Sequence, residues 1–158
     1  MSIHPPQASN TISQYPYRIA IVASNYNAPF VNALIEAAQK EILQRAPKTA
    51  LNIIRVPGAF EIPLGVKIIA ERHRPDAILA LGVLIQGKTL HADLVANSIT
   101  HQLLNLSLHH SIPIIHEVLL LENAVQATER CLGGLNRGAE AARAALSMLD
   151  IMEHLPNL

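Results

Sequence analysis

Three short stretches of the chain carry side chains suited to chemistry. Gly87-Lys88-Thr89-Leu90-His91 places a glycine, an ammonium, a hydroxyl and an imidazole within five residues, just ahead of a segment with helical spacing. Free backbone N–H groups and the positive end of a helix dipole favour a phosphate at such a point. Lys88 adds a point charge, Thr89 a hydroxyl, and His91 the side chain most used to move protons near neutrality. The stretch lacks the G-x-x-x-x-G-K-[ST] spacing of a nucleotide P-loop. The plain alternative is a common helix start with a surface histidine, in a chain that has eight of them.

Val56-Pro57-Gly58-Ala59-Phe60-Glu61-Ile62-Pro63 is the second stretch, a stiff turn bearing one aromatic and one carboxylate. Glu61 can accept hydrogen bonds from a polyol or an amino-heterocycle, or simply complement a helix dipole. In the third, Ser24-Asn25-Tyr26-Asn27, the Tyr26 ring can stack on a planar ligand or close over the core. Further along, Arg130 is either a second grip on a phosphate or a cation ending a helix. No metal is expected: His101 and His109-His110 are too far apart for an i, i+4 pair, no H-E-x-x-H occurs, and Cys131 is alone. No G-x-G-x-x-G opens the fold, so no dinucleotide cofactor is expected either.

Apolar runs and helical spacings define what must position these groups. Arg18–Ser24, Leu51–Val56, Ala77–Val83 and Pro113–Leu120 read as buried strands. Val31, Leu34, Ile35, Ala38 and Ile42 form one face of a first helix. Helices are expected at Pro63–Arg72, His91–His109, Asn123–Leu132 and Gly138–Glu153, the last with Ala142, Ala145, Leu146, Leu149 and Met152 on its core face. Strands apolar on both faces, alternating with helices, predict an α/β, flavodoxin-like three-layer sandwich: a four-stranded parallel sheet with helices on both faces. Ligands then belong beyond the carboxyl ends of the strands, at residues 24–28, 57–62, 83–91 and 120–123. All three reactive stretches fall there.

The 158 residues allow one domain, expected over 18–158 behind a polar tail at 1–17. With no net charge, the chain has no electrostatic footprint for nucleic acid or an anionic membrane, and no apolar run approaches a membrane span. Only 15% of residues are charged, which predicts outer surface covered by copies of the same chain. A cytoplasmic homo-oligomer is expected.

Taken together and in order, the blocks at 24–27, 56–63 and 82–91, with Asn136-Arg137-Gly138-Ala139-Glu140-Ala141-Ala142, resemble the lumazine synthase family from about Arg18 to Leu149. The resemblance implies condensation of a ribitylamino-pyrimidine with a four-carbon keto-phosphate, without cofactor or metal. It implies that Tyr26 stacks on the pyrimidine and that Ala59, Phe60 and Glu61 hold the ribityl chain. Val83, Leu84 and Ile85 would read the heterocycle's edge through their backbone. Lys88, Thr89 and Arg130 would bind the phosphate, His91 would transfer protons, and His116 would reach the pocket of an adjacent subunit. It also implies a homopentamer, single or in multiples up to a closed shell. Asn25 and Gln86 stand where the family commonly has basic residues, Lys88 where it has an acidic or small one, Ala92 where an aromatic is usual, and His116-Glu117 where Phe-Gly is common. The alternatives are a flavin- or lumazine-binding shell protein with weak or no catalysis, and a flavodoxin-like regulatory domain.

Overall fold

The computed structural model describes residues 12–155. Its order is β1 (Arg18–Ser24), α1 (Ala28–Arg45), β2 (Ala50–Val56), a 3₁₀ turn (Ala59–Glu61), α2 (Ile62–His73), β3 (Ala77–Ile85), α3 (His91–His110), β4 (Ile114–Leu121), α4 (Ala124–Ala127), a π-turn (Thr128–Leu132) and α5 (Arg137–His154). The four strands form one parallel sheet in the order β2-β1-β3-β4. One face is packed by α1 and α5 around Ile21, Leu79, Leu81 and Leu34. The other is packed by α2 and α3 around Val22, Ile78, Ile62 and Ile99. The result is the expected flavodoxin-like sandwich.

Local sequence explains most boundaries. All five residues foreseen on the inner face of α1 are buried. Helices α2 and α3 stop at Arg74 and Ser111, which take left-handed conformations (φ 42° and 53°) where glycine is the usual choice. Arg74 is held there by the Arg18 guanidinium, whose Nη2 donates to its carbonyl at 2.9 Å. Helices α1 and α5 cross at Gly138, where any Cβ would collide with the backbone of Leu34. That glycine sets the closeness of the α-layer.

Three expectations need correction. The segment Asn123–Leu132 is not one α-helix: Asn123 caps the four-residue α4 by accepting from Gln126 N–H, and the chain then widens into the π-turn, closed by Gly133 N–H to Thr128 C=O at 3.1 Å. Strand β2 is an edge strand in which Val56 alone is buried: Leu51 and Ile54 are half-buried against the two core layers and Ile53 is exposed, so both faces are covered only in part. Met152 is exposed because α5 runs past the sheet, and every described residue beyond Leu149 is exposed. Residues 1–11 of the expected tail lie outside the described residues. Ser13 N–H donates to Arg45 C=O, and Tyr17 is buried with its hydroxyl on Glu153.

Candidate functional site

The sheet order reverses between β1 and β3, and in open α/β sheets such a reversal leaves a crevice beyond the carboxyl ends of the two strands. Pairing of β3 with β1 ends at Leu81↔Ala23, whereas its pairing with β4 continues to Ile85↔Leu121. The last residues of β3 therefore offer one backbone edge to the crevice. Gln86 N–H bonds Leu121 C=O on the β4 side, so by alternation the groups of Val83 and Ile85 face the other way. Val83 itself is buried, while Leu84 and Ile85 are half-buried.

The loop after β1 meets this edge. Asn27 takes a left-handed conformation (φ 55°), a geometry asparagine tolerates well, and its side-chain Nδ2 donates to Val83 C=O at 2.8 Å. Next to it Tyr26 is 72% exposed, its ring edge 3.6 Å from where a Cβ on Gly58 would stand. Tyr26 and the turn after β2 thus form one wall. The Glu61 carboxylate folds back to accept Gly58 N–H at 2.8 Å, which fixes that turn. Ala59 is buried beneath it, and Phe60, 63% exposed, stands outward.

Lys88, Thr89 and His91 are all exposed at the start of α3, with Leu90 as the residue before the helix. His91 is the first residue of α3, two residues after Thr89, and its side chain is exposed rather than turned into the core. Ala92 is buried directly behind it. Gln86 reaches across this turn to Asp93, Nε2 to Oδ1 at 3.3 Å, so a neutral amide does the tethering there. Arg130 is half-buried in the π-turn.

Asn25 leaves no charge at its own position, but Arg55, at the end of β2, brings a guanidinium to it. Its Nε donates to Asn25 Oδ1 at 2.9 Å and its Nη1 to Asn32 Oδ1 at 3.1 Å. Sequence reading missed both Arg55 and the Asn27 tie. The only hints were an asparagine ahead of Ala28-Pro29 and an arginine at a strand's last turn.

His116 is not brought to this crevice. It pairs in register with Ala80, five residues before the end of β4, or about 16 Å at ~3.3 Å per residue. Its Nε2 lies 2.9 Å from Thr100 Oγ1 on α3, and burial pushes its pKa below the usual value. A cavity of about 610 Å³ lies elsewhere, between residues 13–17 and the last turns of α5, away from every residue of the crevice. Among the described residues no His, Cys, Asp and Glu cluster could hold a metal, and no helix is long and apolar enough to cross a membrane.

The family model described as 6,7-dimethyl-8-ribityllumazine synthase matches residues 16–153. A protein of that name from Thermococcus gammatolerans is 37% identical over 138 residues, 87% of this chain and 89% of its own. Another, from Halorhodospira halophila, is 39% identical over 140 residues, 87% of this chain and 90% of its own. A solved GDP-L-fucose synthetase from Naegleria fowleri superposes with a TM-score of 0.43 at 14% identity. That alignment covers 92% of this chain but 46% of the other, a likeness too loose to bear on function.

Proposed function

The chain belongs to the 6,7-dimethyl-8-ribityllumazine synthase family, and from that premise we propose how its crevice performs the condensation that riboflavin synthesis requires. The substrates are 5-amino-6-ribitylamino-pyrimidinedione and 3,4-dihydroxy-2-butanone 4-phosphate. The pyrimidine's 5-amino group attacks the ketone and water leaves to form an imine. Loss of a proton then expels phosphate, and the resulting enol tautomerises to a ketone. The ribitylamino nitrogen closes the second ring on that ketone with loss of another water. The products are lumazine, one phosphate and two waters.

One juxtaposition carries this reading: an exposed imidazole, His91, within a helical turn of Lys88 and Thr89, at the point where the sheet order reverses. Lys88, Thr89 and the helix terminus seat the phosphate, with Arg130 as a second grip. His91 carries protons between the attacking nitrogen, the departing oxygens and water. Tyr26 stacks on the pyrimidine, Ala59, Phe60 and Glu61 hold the ribityl chain, and the edge of Val83, Leu84 and Ile85 reads the heterocycle. Holding the two substrates against each other supplies the rest of the acceleration.

The working form we propose is a cytoplasmic homopentamer, alone or in multiples. Leu90, just before α3, and Leu94, Asn97, His101, Leu104 and Leu108 along it recur at alternating spacings of four and three, and all are exposed. Such spacing suits helices that pack against copies of themselves and supports the pentamer. His116, far from its own crevice, then serves a neighbour's. The test is to mix the purified protein with both substrates and follow the absorbance of the lumazine. Tight binding of the product without turnover would replace the enzyme by a binding shell.

A further inference from the structure

We infer that Glu117 is a positioning residue: through its ion pair with Arg137 it holds the π-turn that carries Arg130, and so sets the grip on the substrate's phosphate. The inference rests on the reading of Arg130 given above.

Glu117 is out of place by composition. It stands on β4 in register with Leu81, facing the apolar layer of α1 and α5, and its side chain is 9% exposed. Burial pushes its carboxyl pKa up, and the adjacent guanidinium pulls it back down. Arg137 is equally awkward, a cation at the first residue of α5, where the helix dipole repels it. The two resolve each other: Arg137 Nε donates to Glu117 Oε1 at 2.8 Å, and Nη1 to Glu140 Oε2 at 2.6 Å. Strand and helix are thereby pinned at one point.

The π-turn is fastened to that point. Asn136, next to Arg137, accepts Gly138 N–H at 2.8 Å, while its amide donates to Ala33 C=O at 3.2 Å and to Cys131 C=O. Cys131 directly follows Arg130, and its buried thiol is pushed up to about 11, first by burial and then by the charge of Glu117. The carboxylate therefore lies within electrostatic reach of the turn. A π-turn is an uncommon widening that persists only where its surroundings dictate it. Here those surroundings are α1, which packs against the turn, and Asn136, which holds its Cys131 carbonyl and stands next to the Arg137 that Glu117 pins.

The experiment is a double-variant cycle on the assembled full-length protein, comparing wild type, E117Q, R130A and E117Q/R130A. Inorganic phosphate binding is measured by calorimetry, and KM is measured for each substrate. E117Q is expected to weaken phosphate and raise KM for the keto-phosphate about tenfold, short of the 10²-fold that a displacement of about 1 Å can cost at a reacting group. KM for the pyrimidine should stay within about twofold, and adding E117Q to R130A should cost nothing more, because its effect runs through Arg130. Thiolate absorbance of Cys131 in E117Q should titrate below the wild-type value, reporting a folded turn without the charge. Equal losses from E117Q with and without Arg130, or no loss with Arg130 present, overturn the inference while leaving the function intact. An R130A protein that binds phosphate like wild type overturns the Arg130 grip and this inference together.

Discussion

The side-chain amide of Asn27 spans 2.8 Å to the carbonyl of Val83, tying the loop after β1 to the last turn of β3. The asparagine does this from a left-handed backbone, so shape and tie depend on the same residue. Asn27→Ala loses both, whereas Asn27→Gly loses only the tie. Alanine in that conformation costs roughly 1–2 kcal/mol. The alanine variant should therefore melt a few degrees below the glycine variant. Both should raise KM for the pyrimidine, since the wall bearing Tyr26 is released. Equal melting temperatures would show that the backbone at 27 is not held left-handed.

His91→Ala should lower kcat roughly 10- to 100-fold, at or below the low end of what acid–base help supplies, because proximity of the substrates is untouched. The residue is exposed, so its truncation should leave the fold intact and sedimentation should match that of wild type. Unchanged turnover removes the imidazole from the mechanism.

Burial disfavours the charged form of His116 and sets its pKa below the 6.5 of an unfolded chain. Above that pH the group is neutral in both states and contributes no slope. As pH falls through it, the unfolded chain binds the proton first and stability declines until the folded group titrates. Glu117 acts in the opposite sense, its raised carboxyl favouring the fold as pH falls. Comparing wild type with His116→Phe isolates the imidazole: the melting temperature of wild type should fall relative to the variant between pH 7.5 and 5.5. Parallel curves would place the ring in water rather than against α3.

Gly138→Ala should strain the α1–α5 contact, since the new methyl would stand within 2.8 Å of Leu34 Cα and closer still to its carbonyl. Overpacking costs about 1–3 kcal/mol, and a methyl forced against backbone falls at the upper end of that range. That corresponds to a melting temperature lower by on the order of 10 °C. Gly134→Ala, with nothing within 4 Å, is the matched control and should be neutral.

The sandwich was legible because buried parallel strands are written as uninterrupted apolar runs and α1 repeats its apolar residues at helical intervals. The crevice was legible because Lys88, Thr89 and His91 fall where such folds bind ligands. What stayed hidden depends on contacts distant in sequence. Nothing near Glu117 announces Arg137, twenty residues on, and nothing in Thr128–Leu132 distinguishes a π-turn from an α-helix. The thin cover of β2 was misread for a related reason: Leu51, Ile53 and Ile54 are as apolar as a central strand, and only the order of the sheet puts them at its edge, where Leu51 and Ile54 are half-buried and Ile53 is exposed.

His91 and His116 belong to one polypeptide, but the first opens α3 after the carboxyl end of β3 while the second stands near the beginning of β4. If the proposed ring forms and His116 serves a neighbour's site as proposed, each molecule supplies one part of a site to itself and another part to the next molecule. Two weakened proteins, one altered at 91 and one at 116, would then recover part of their lost turnover when their subunits are shuffled together, because some junctions inherit both unaltered residues.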